Sequence, residues 1–479
     1  MNKINSAMVI DFYELTMANG YFLEGKANEI GYYDVYYRSI PDQGGFALFA
    51  GLERIIDYIM NLHFTEEDIK FLRSKKVFSE GFLTYLKNFS FKGDVISFNE
   101  GSVIFPNEPV ITIKSNIVDA QLIETFMLQT VNHQTLIATK AARIRYSAGD
   151  KYVIEMGARR AHGIDSSIEG ARAAYIAGID STSNVAADKI YGVPRGGTMS
   201  HSWVQSFNSE YEAFKSYATL YPHNSILLVD TYNNINSGVP NAIKVIKEVL
   251  LDNKDASYGI RIDSGDLAYL SKKSRGLLDE AGLHDCKIVV SNALDEYSIK
   301  TLLDQGAPID VFGVGERLIT SKSDPVFGAV YKLIAKEEDG QVIPIIKISD
   351  NPEKVTTPHF KKVYRVMNEN NRPIADYITT YDEVVDQSKP LVLFDPNHTW
   401  KRKEIKEYTL KDIRQTIIKD GELIVKMPTL KDIRQYAKDN LDELWTEMRR
   451  FSHPHKYYVD LSKKLWDIKN GLMNDYKTE

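Results

Sequence analysis

Cysteine is almost absent: Cys286 is the only one in 479 residues. An intramolecular disulfide and a multi-thiolate zinc or iron–sulfur site are therefore excluded. Its setting, Cys286-Lys287-Ile288-Val289-Val290, has the pattern of a buried strand, which predicts an inert structural thiol rather than a nucleophile. Long apolar runs are missing as well, and no stretch of about eighteen apolar residues exists to span a membrane as a helix. The N-terminal MNKINSAMVIDFYELTMANGYF carries Asp11 and Glu14 where a secretory signal needs unbroken apolar residues, so a cytoplasmic location is expected. Nor is there an excess of charge of one sign: 59 basic and 65 acidic residues leave a net charge of −6, which gives no overall footprint for nucleic acid. What remains is an ordinary globular composition, 43% apolar and 26% charged, with length for two or three domains that each bury a core.

From residue 224 onward, short apolar runs alternate with helix-like stretches. The runs are Ile226-Leu227-Leu228-Val229, Ile260-Arg261-Ile262, Ile288-Val289-Val290 and Val311-Phe312-Gly313-Val314, and the helical stretches lie near 240–252, 266–281 and 294–305. Repeating strand and helix predicts a parallel sheet, and the steady spacing predicts a closed α/β barrel rather than an open doubly wound sheet. Residues 1–135, with strands such as Tyr32–Tyr37 and Val110–Ile113 between amphipathic helices, read as a separate α+β sandwich domain, and 136–345 as the barrel. Residues 346–479 turn charged and read as a mostly helical accessory segment packing partly on the N-terminal domain. There the heptapeptide TLKDIRQ occurs twice, at Thr409–Gln415 and Thr429–Gln435, too few copies for a solenoid.

Each barrel run is followed by polar residues: Asp230-Thr231-Tyr232-Asn233-Asn234, Asp263-Ser264-Gly265-Asp266, Ser291-Asn292 and Gly313-Val314-Gly315-Glu316-Arg317. In α/β barrels the carboxyl ends of the strands carry the site. The same residue types also cap helices, and both readings stay open for each position. Arg261 stands apart, because a cation within an apolar strand needs an anionic partner.

Three upstream segments add to this set. Gly192-Val193-Pro194-Arg195-Gly196-Gly197-Thr198-Met199-Ser200-His201 joins backbone-exposing glycines, hydroxyls, a cation and a histidine, which suits an anion although the GKS/T of a Walker motif is missing. By itself His201 also reads as a satisfied histidine in a packed turn. Glu155-Met156-Gly157-Ala158-Arg159-Arg160 follows a strand-like run and offers arginines to an anion or to surface ion pairs. Gly178-Ile179-Asp180-Ser181-Thr182-Ser183-Asn184 is dense in small donors and acceptors. Together these fit a phosphoribosyl-donor site, with arginines and amides for the phosphates and carboxylates for ribose hydroxyls or Mg²⁺.

Over about 320 residues the chain resembles nicotinate phosphoribosyltransferases of the long bacterial form, through EMGARRAHG, GIDSTSNVAA, GVPRGGTMSHSWVQSF, IRIDSGDL and FGVGERLIT in family order. The resemblance implies a dimer or larger assembly with shared active sites, an N-terminal α/β sandwich and an irregular α/β barrel. It implies that nicotinate, phosphoribosyl diphosphate and ATP, with Mg²⁺, give nicotinate mononucleotide. On this resemblance His201 is the histidine phosphorylated by ATP, Tyr13 stacks on the pyridine ring from the neighbouring subunit, and Thr198 and Arg261 lie near the nicotinate carboxylate. Arg159 lines the cleft, Asp263 meets ribose or metal, Gly313 and Gly315 offer amides to the 5′-phosphate, and Ser291 joins the substrate contacts. Met156 stands where relatives often have an aromatic, which predicts a softer thioether contact. Glu316 stands where some have threonine, and a carboxylate there repels a phosphate unless turned away.

Three rival readings keep the barrel. Nicotinamide is one substrate alternative, since Asp180 can accept from an amide; quinolinate enzymes are shorter and lack the histidine. A nucleotide sensor without catalysis, or an unrelated barrel isomerase or aldolase, accounts for fewer of the motifs.

Overall fold

The computed structural model describes residues 5–396 and 398–476. The chain divides into two compact units, one built from residues 1–136 and 326–479 and the other from 137–325.

The second unit is organised on six parallel strands. In spatial order these are Ser181–Thr182, Tyr152–Glu155, Val311–Val314, Lys287–Ser291, Tyr258–Ile262 and Ser225–Leu228. Their registers bring Arg261 opposite Val289 and Ser291 opposite Gly313, so the carboxyl ends of neighbouring strands lie level. The expected closed barrel is corrected to a half-barrel: the edge strands Ser181–Thr182 and Ser225–Leu228 share no ladder among the described residues. The strands read as continuous apolar runs rather than alternating ones because they are covered on both faces, and Leu227, Leu228, Ile260, Ile262, Ile288, Val290 and Phe312 are all buried. Helices Leu267–Glu280 and Glu296–Asp304 follow the strands as predicted. One close approach demands glycine: a Cβ on Gly238 would stand 1.8 Å from the Val229 carbonyl oxygen. Cys286 is buried, and burial pushes its thiol up to about 12, in keeping with an inert role.

The first unit holds a seven-stranded antiparallel sheet in the order Gln341–Pro344, Val330–Glu338, Ile30–Tyr36, Ile111–Asn116, Asp94–Phe98, Arg414–Lys419 and Glu422–Leu423. Helix Leu52–Asn61 adds Leu52, Ile55, Ile56 and Ile59 to its core at helical spacing. Each such side chain contributes about 1.5–3 kcal/mol on burial. Residues 326–345 therefore belong here and not with the barrel, because Val330–Glu338 pairs with Ile30–Tyr36 along its length.

The expectation of a mostly helical segment after residue 346 is also corrected. It is dominated by strands, including a four-stranded sheet in the order Thr409–Asp412, Lys361–Met367, Pro373–Thr380 and Val459–Leu461, with only Leu430–Glu443 and Lys463–Asp475 as long helices among the described residues. Many of these strand residues are charged because they face solvent, as in His398–Ile405.

Candidate active site

Arg261 is the hub of the second unit's strand ends. Its side chain, 11% exposed, donates from Nε to Ser291 Oγ at 3.0 Å, from Nη1 to Thr198 Oγ1 at 2.6 Å and Met199 O at 3.1 Å, and from Nη2 to Asp263 Oδ1 at 3.2 Å. Asp263 is thus the anionic partner that a cation in an apolar strand requires. Ser291 in turn donates to Asp263 Oδ1. The other carboxylate oxygen, Oδ2, lies 3.7 Å from His201 Nε2. His201 opens the short helix His201–Gln205, and its Nδ1 is 3.1 Å from Thr231 Oγ1. The strand ends and the glycine-rich loop so bring Thr198, His201, Arg261, Asp263 and Ser291 into one network.

The choice between site and cap now resolves position by position. Asn233, Asp266 and Asp295 cap helices, accepting from the N–H groups of Asn236, Tyr269 and Ser298. Thr231 and Asp263 instead face His201, while Asp230 and Ser291 bond to Asp263. Asp230 Oδ2 accepts from the Asp263 N–H at 2.9 Å and from Ser264 Oγ at 2.6 Å, while its Oδ1 is buried without a hydrogen-bond partner among the described residues. Asp230 and Thr231 are visible in the sequence as strand-end residues but carry no assigned role there, since only the fold shows which of five consecutive polar residues turns inward.

Glu155 is a second residue whose part the sequence does not show. Fully buried, it accepts from Thr182 Oγ1 at 2.6 Å and from the Gly157 N–H, and its carbonyl accepts from Ser183 N at 2.8 Å. Burial lifts its carboxyl above the usual range, against the two hydrogen bonds. The same Thr182 pairs with the histidine loop, through Thr182 N to Pro194 O at 2.8 Å and Gly196 N to Thr182 O at 2.9 Å. Glu155 thereby ties the Gly157–Arg160 turn to the loop that carries Thr198 and His201.

Around this network, Met156 lies against Gly313, where an added Cβ would come within 2.8 Å of the Met156 sulfur. Gly315 follows at the strand end and precedes the four-residue helix Glu316–Ile319. Arg159 is exposed in the turn Ala158–Arg160. Glu316 is held by Lys322 at 2.6 Å, with Arg160 at 3.9 Å, and Lys322 keeps its carboxyl below the usual range.

Asp180 does not join the cluster, and its reading as a substrate contact is corrected. It precedes Ser181–Thr182, at the amino end of the parallel sheet, where its Oδ2 accepts from Arg145 Nη1 at 2.8 Å and from the Val153 N–H at 2.9 Å. Tyr13 lies in the first unit, 47% exposed on helix Phe12–Leu23 beside Phe12 and Met17, which are also exposed.

A half-barrel whose strand ends gather an arginine, two carboxylates, hydroxyls and a histidine beside glycine-rich turns is built to hold anionic substrates. The nicotinate phosphoribosyltransferase (NAPRTase) family model matches residues 152–372, with its N-terminal domain at 8–132 and its C-terminal domain at 360–469. The nicotinate phosphoribosyltransferase of Bacillus subtilis (strain 168) is 46% identical over 469 residues, 98% of this chain and 95% of that protein. The Homo sapiens protein of the same name is 30% identical over 522 residues, 97% and 96% of the two chains. The crystal structure of human nicotinic acid phosphoribosyltransferase superposes with a TM-score of 0.85 at 28% identity, covering 97% of this chain and 99% of that one. The chain belongs to the nicotinate phosphoribosyltransferase family and is a phosphoribosyl-transferring enzyme.

Proposed function

We propose that this enzyme makes nicotinate mononucleotide from nicotinate and phosphoribosyl diphosphate, for NAD biosynthesis, and that it couples the reaction to ATP through a transient phosphohistidine at His201. The observation that carries the reading is the network of Arg261, Thr198, Ser291 and Asp263 with His201 at its edge.

Among the described residues Arg261 uses four of its five N–H donors, and the fifth, on Nη2, is left for a substrate carboxylate. The fixed positive charge prefers nicotinate to the neutral amide. Asp180, the residue that favoured nicotinamide, is committed to Arg145 and Val153. Transfer itself needs positioning and charge neutralisation more than covalent chemistry, because diphosphate leaves C1 of the ribose through an oxocarbenium-like state. Arg159 and the Gly313–Gly315 amides supply the cationic and N–H groups for the phosphates.

Mg²⁺ fits the donor set, since Asp230 Oδ1 is a buried oxygen without a hydrogen-bond partner among the described residues. Mg²⁺ of this kind is carried in by substrate phosphates and held by one or two carboxylates. When bound, Mg²⁺ supplies neutralisation of phosphate charge. A homodimer with shared sites accords with the exposed Phe12, Tyr13 and Met17 on one helix, and Tyr13 is proposed to stack on the pyridine ring of the partner's substrate. No helix among the described residues is long and apolar enough to cross a membrane, and the cytoplasm is the proposed location.

Product analysis with nicotinate or nicotinamide, with and without ATP, tests the reading. The expected outcome is nicotinate mononucleotide formation that ATP stimulates, with acid-labile, base-stable label from γ-labelled ATP on wild type and none on His201→Ala. Equal or better turnover of nicotinamide would sink the substrate assignment.

A further inference from the structure

The two nitrogens of His201 meet different groups, and the difference selects a tautomer. A neutral imidazole has one N–H and one lone pair. Nε2 faces Asp263 Oδ2 at 3.7 Å, and an ionised carboxylate only accepts, so a hydrogen on Nε2 is favoured and a lone pair there is repelled. Nδ1 faces Thr231 Oγ1 at 3.1 Å, and a hydroxyl either donates or accepts. The arrangement that satisfies both sides places the hydrogen on Nε2 and has the Thr231 hydroxyl donate to Nδ1.

Both flanking groups are fixed in place. Asp263 Oδ1 is taken by Ser291 and Arg261, which leaves Oδ2 as the oxygen toward the ring. Thr231 follows Asp230 directly, and Asp230 Oδ2 accepts from the Asp263 N–H and from Ser264 Oγ. The strand end that carries Thr231 is therefore tied to the strand end that carries Asp263. His201 stands between two groups whose separation the backbone sets. With 38% of its side chain exposed, the ring stays accessible to an incoming polyanion.

We infer that Thr231 is a positioning residue for His201: its hydroxyl donates to Nδ1, holds the ring in the Nε2–H form toward Asp263, and so makes Nδ1 the nitrogen that accepts the phosphoryl group. The inference rests on the phosphohistidine reading above. In the step, the Nδ1 lone pair forms the bond to the γ-phosphorus of a nucleoside triphosphate. The bond from that phosphorus to the bridging oxygen breaks, and its electron pair leaves on the nucleoside diphosphate. The hydrogen stays on Nε2, and the positive charge that the ring gains faces the Asp263 carboxylate. The Thr231 hydroxyl, released by rotation about its side chain, donates to an oxygen of the new phosphoryl group. Attack from Nε2 instead would bring a phosphoryl group against the carboxylate, a like-charge contact.

Two measurements on the full-length enzyme test this. In protein carrying ¹⁵N-labelled histidine, long-range ¹H–¹⁵N correlation reads the tautomer of His201, assigned by the signal lost in His201→Ala. The neutral ring is expected as Nε2–H in wild type and Thr231→Ser, and as a mixture in Thr231→Val, a change of similar volume that removes the hydroxyl. An Nδ1–H ring in wild type overturns the inference. In the second measurement, label from γ-labelled ATP and Mg²⁺ is recovered by alkaline hydrolysis and the two phosphohistidine isomers are separated. The Nδ1 isomer is expected, with an initial labelling rate at least tenfold lower in Thr231→Val and mostly restored in Thr231→Ser. Label on Nε2, or an undiminished rate in Thr231→Val, overturns the inference and leaves the phosphohistidine reading standing. No label on wild-type His201, with the ring in the Nε2–H form, overturns that reading and the assignment of Nδ1 as acceptor with it.

Discussion

Arg261 holds four protein acceptors with a planar fork that no other side chain reproduces. Lysine keeps the charge but presents a single nitrogen, so Arg261→Lys loses at least two of these hydrogen bonds and the aim of the remaining donor. Each hydrogen bond to a charged group is worth about 1.5–3 kcal/mol, and 1.4 kcal/mol is roughly tenfold. The kcat/KM for nicotinate is expected to fall at least tenfold in steady-state assays run where the variant is folded, and the lost internal hydrogen bonds lower its thermal midpoint as well. An unchanged kcat/KM would show that the fork does not hold the substrate. Asp180 gives the opposite expectation. Asp180→Ala strips a carboxylate from Arg145, whose side chain is only 21% exposed, and leaves the Val153 N–H without its acceptor. A cost of about 1–3 kcal/mol follows, read as a lower thermal midpoint with the KM for nicotinate unchanged; a raised KM would return Asp180 to the site. These two residues mark how far the site is legible in the sequence. Arg261 can be singled out because a cation in an apolar strand violates the local pattern and so advertises a partner. Asp180 is misread because a polar run beside a short strand does not say which end of the strand it occupies. Thr231 and Glu155 go unassigned because hydroxyls and carboxylates are ordinary in loops until the sheet aligns the strand ends.

The heptapeptide TLKDIRQ folds in two ways within one chain. At Thr409 it forms the strand Thr409–Asp412, paired with Met367 to Tyr364, and leads into Arg414–Lys419. At Thr429 it starts the helix Leu430–Glu443 with a capping box, in which Thr429 accepts from the Asp432 N–H and the Asp432 carboxylate accepts from the Thr429 N–H. The seven residues are equal, so the difference lies in what flanks them. After Gln435 the apolar residues Ala437 and Leu441 continue the helical spacing, while after Gln415 come the β-branched Thr416, Ile417 and Ile418, of which Thr416 and Ile418 pair with Ile96 and Val95. Thr429→Ala removes a cap and is expected to cost about 1 kcal/mol in urea unfolding. Thr409→Ala, the same change in the same heptapeptide, acts on an exposed strand residue and is expected to cost less than half as much. Equal losses would mean that the cap does not contribute. The barrel strands and helices can be read locally because each is a short buried run followed by an amphipathic segment. The charged C-terminal strands cannot, since one solvated face hides the apolar run that marks a buried strand.

Across the whole molecule, the chain leaves its first unit at residue 136, builds the half-barrel, and returns at 326. A linear reading into three consecutive domains misses this return because sequence-adjacent strands are the usual neighbours, whereas Val330–Glu338 pairs with Ile30–Tyr36 across about three hundred residues. The first unit also carries two buried acids whose titration should shape stability. Burial lifts Glu14 to about 7, with Glu124 and Asp11 adding to the rise and Thr125 opposing it. Burial lifts Asp460 to about 7, with Asp395 adding and Lys456 opposing. In the unfolded chain both lose their protons near pH 4. Between about pH 4 and pH 7 the folded state therefore binds more protons than the unfolded state, so the contribution of these acids is fully present below pH 4 and is lost as pH rises through 7. Lys469 acts on the alkaline side. Burial, with Lys361 nearby, lowers it to about 8, so from pH 8 to about 10.5 the unfolded state binds the extra proton and stability recovers as pH rises. Asp460→Asn keeps the shape of the protonated acid and removes its titration. The thermal midpoint of the variant is expected to match wild type near pH 5 and to exceed it by a growing margin up to pH 8, where the wild-type carboxylate is charged in a buried strand. A difference that stays flat from pH 5 to pH 8, followed by differential scanning fluorimetry, would show that Asp460 does not titrate in that range.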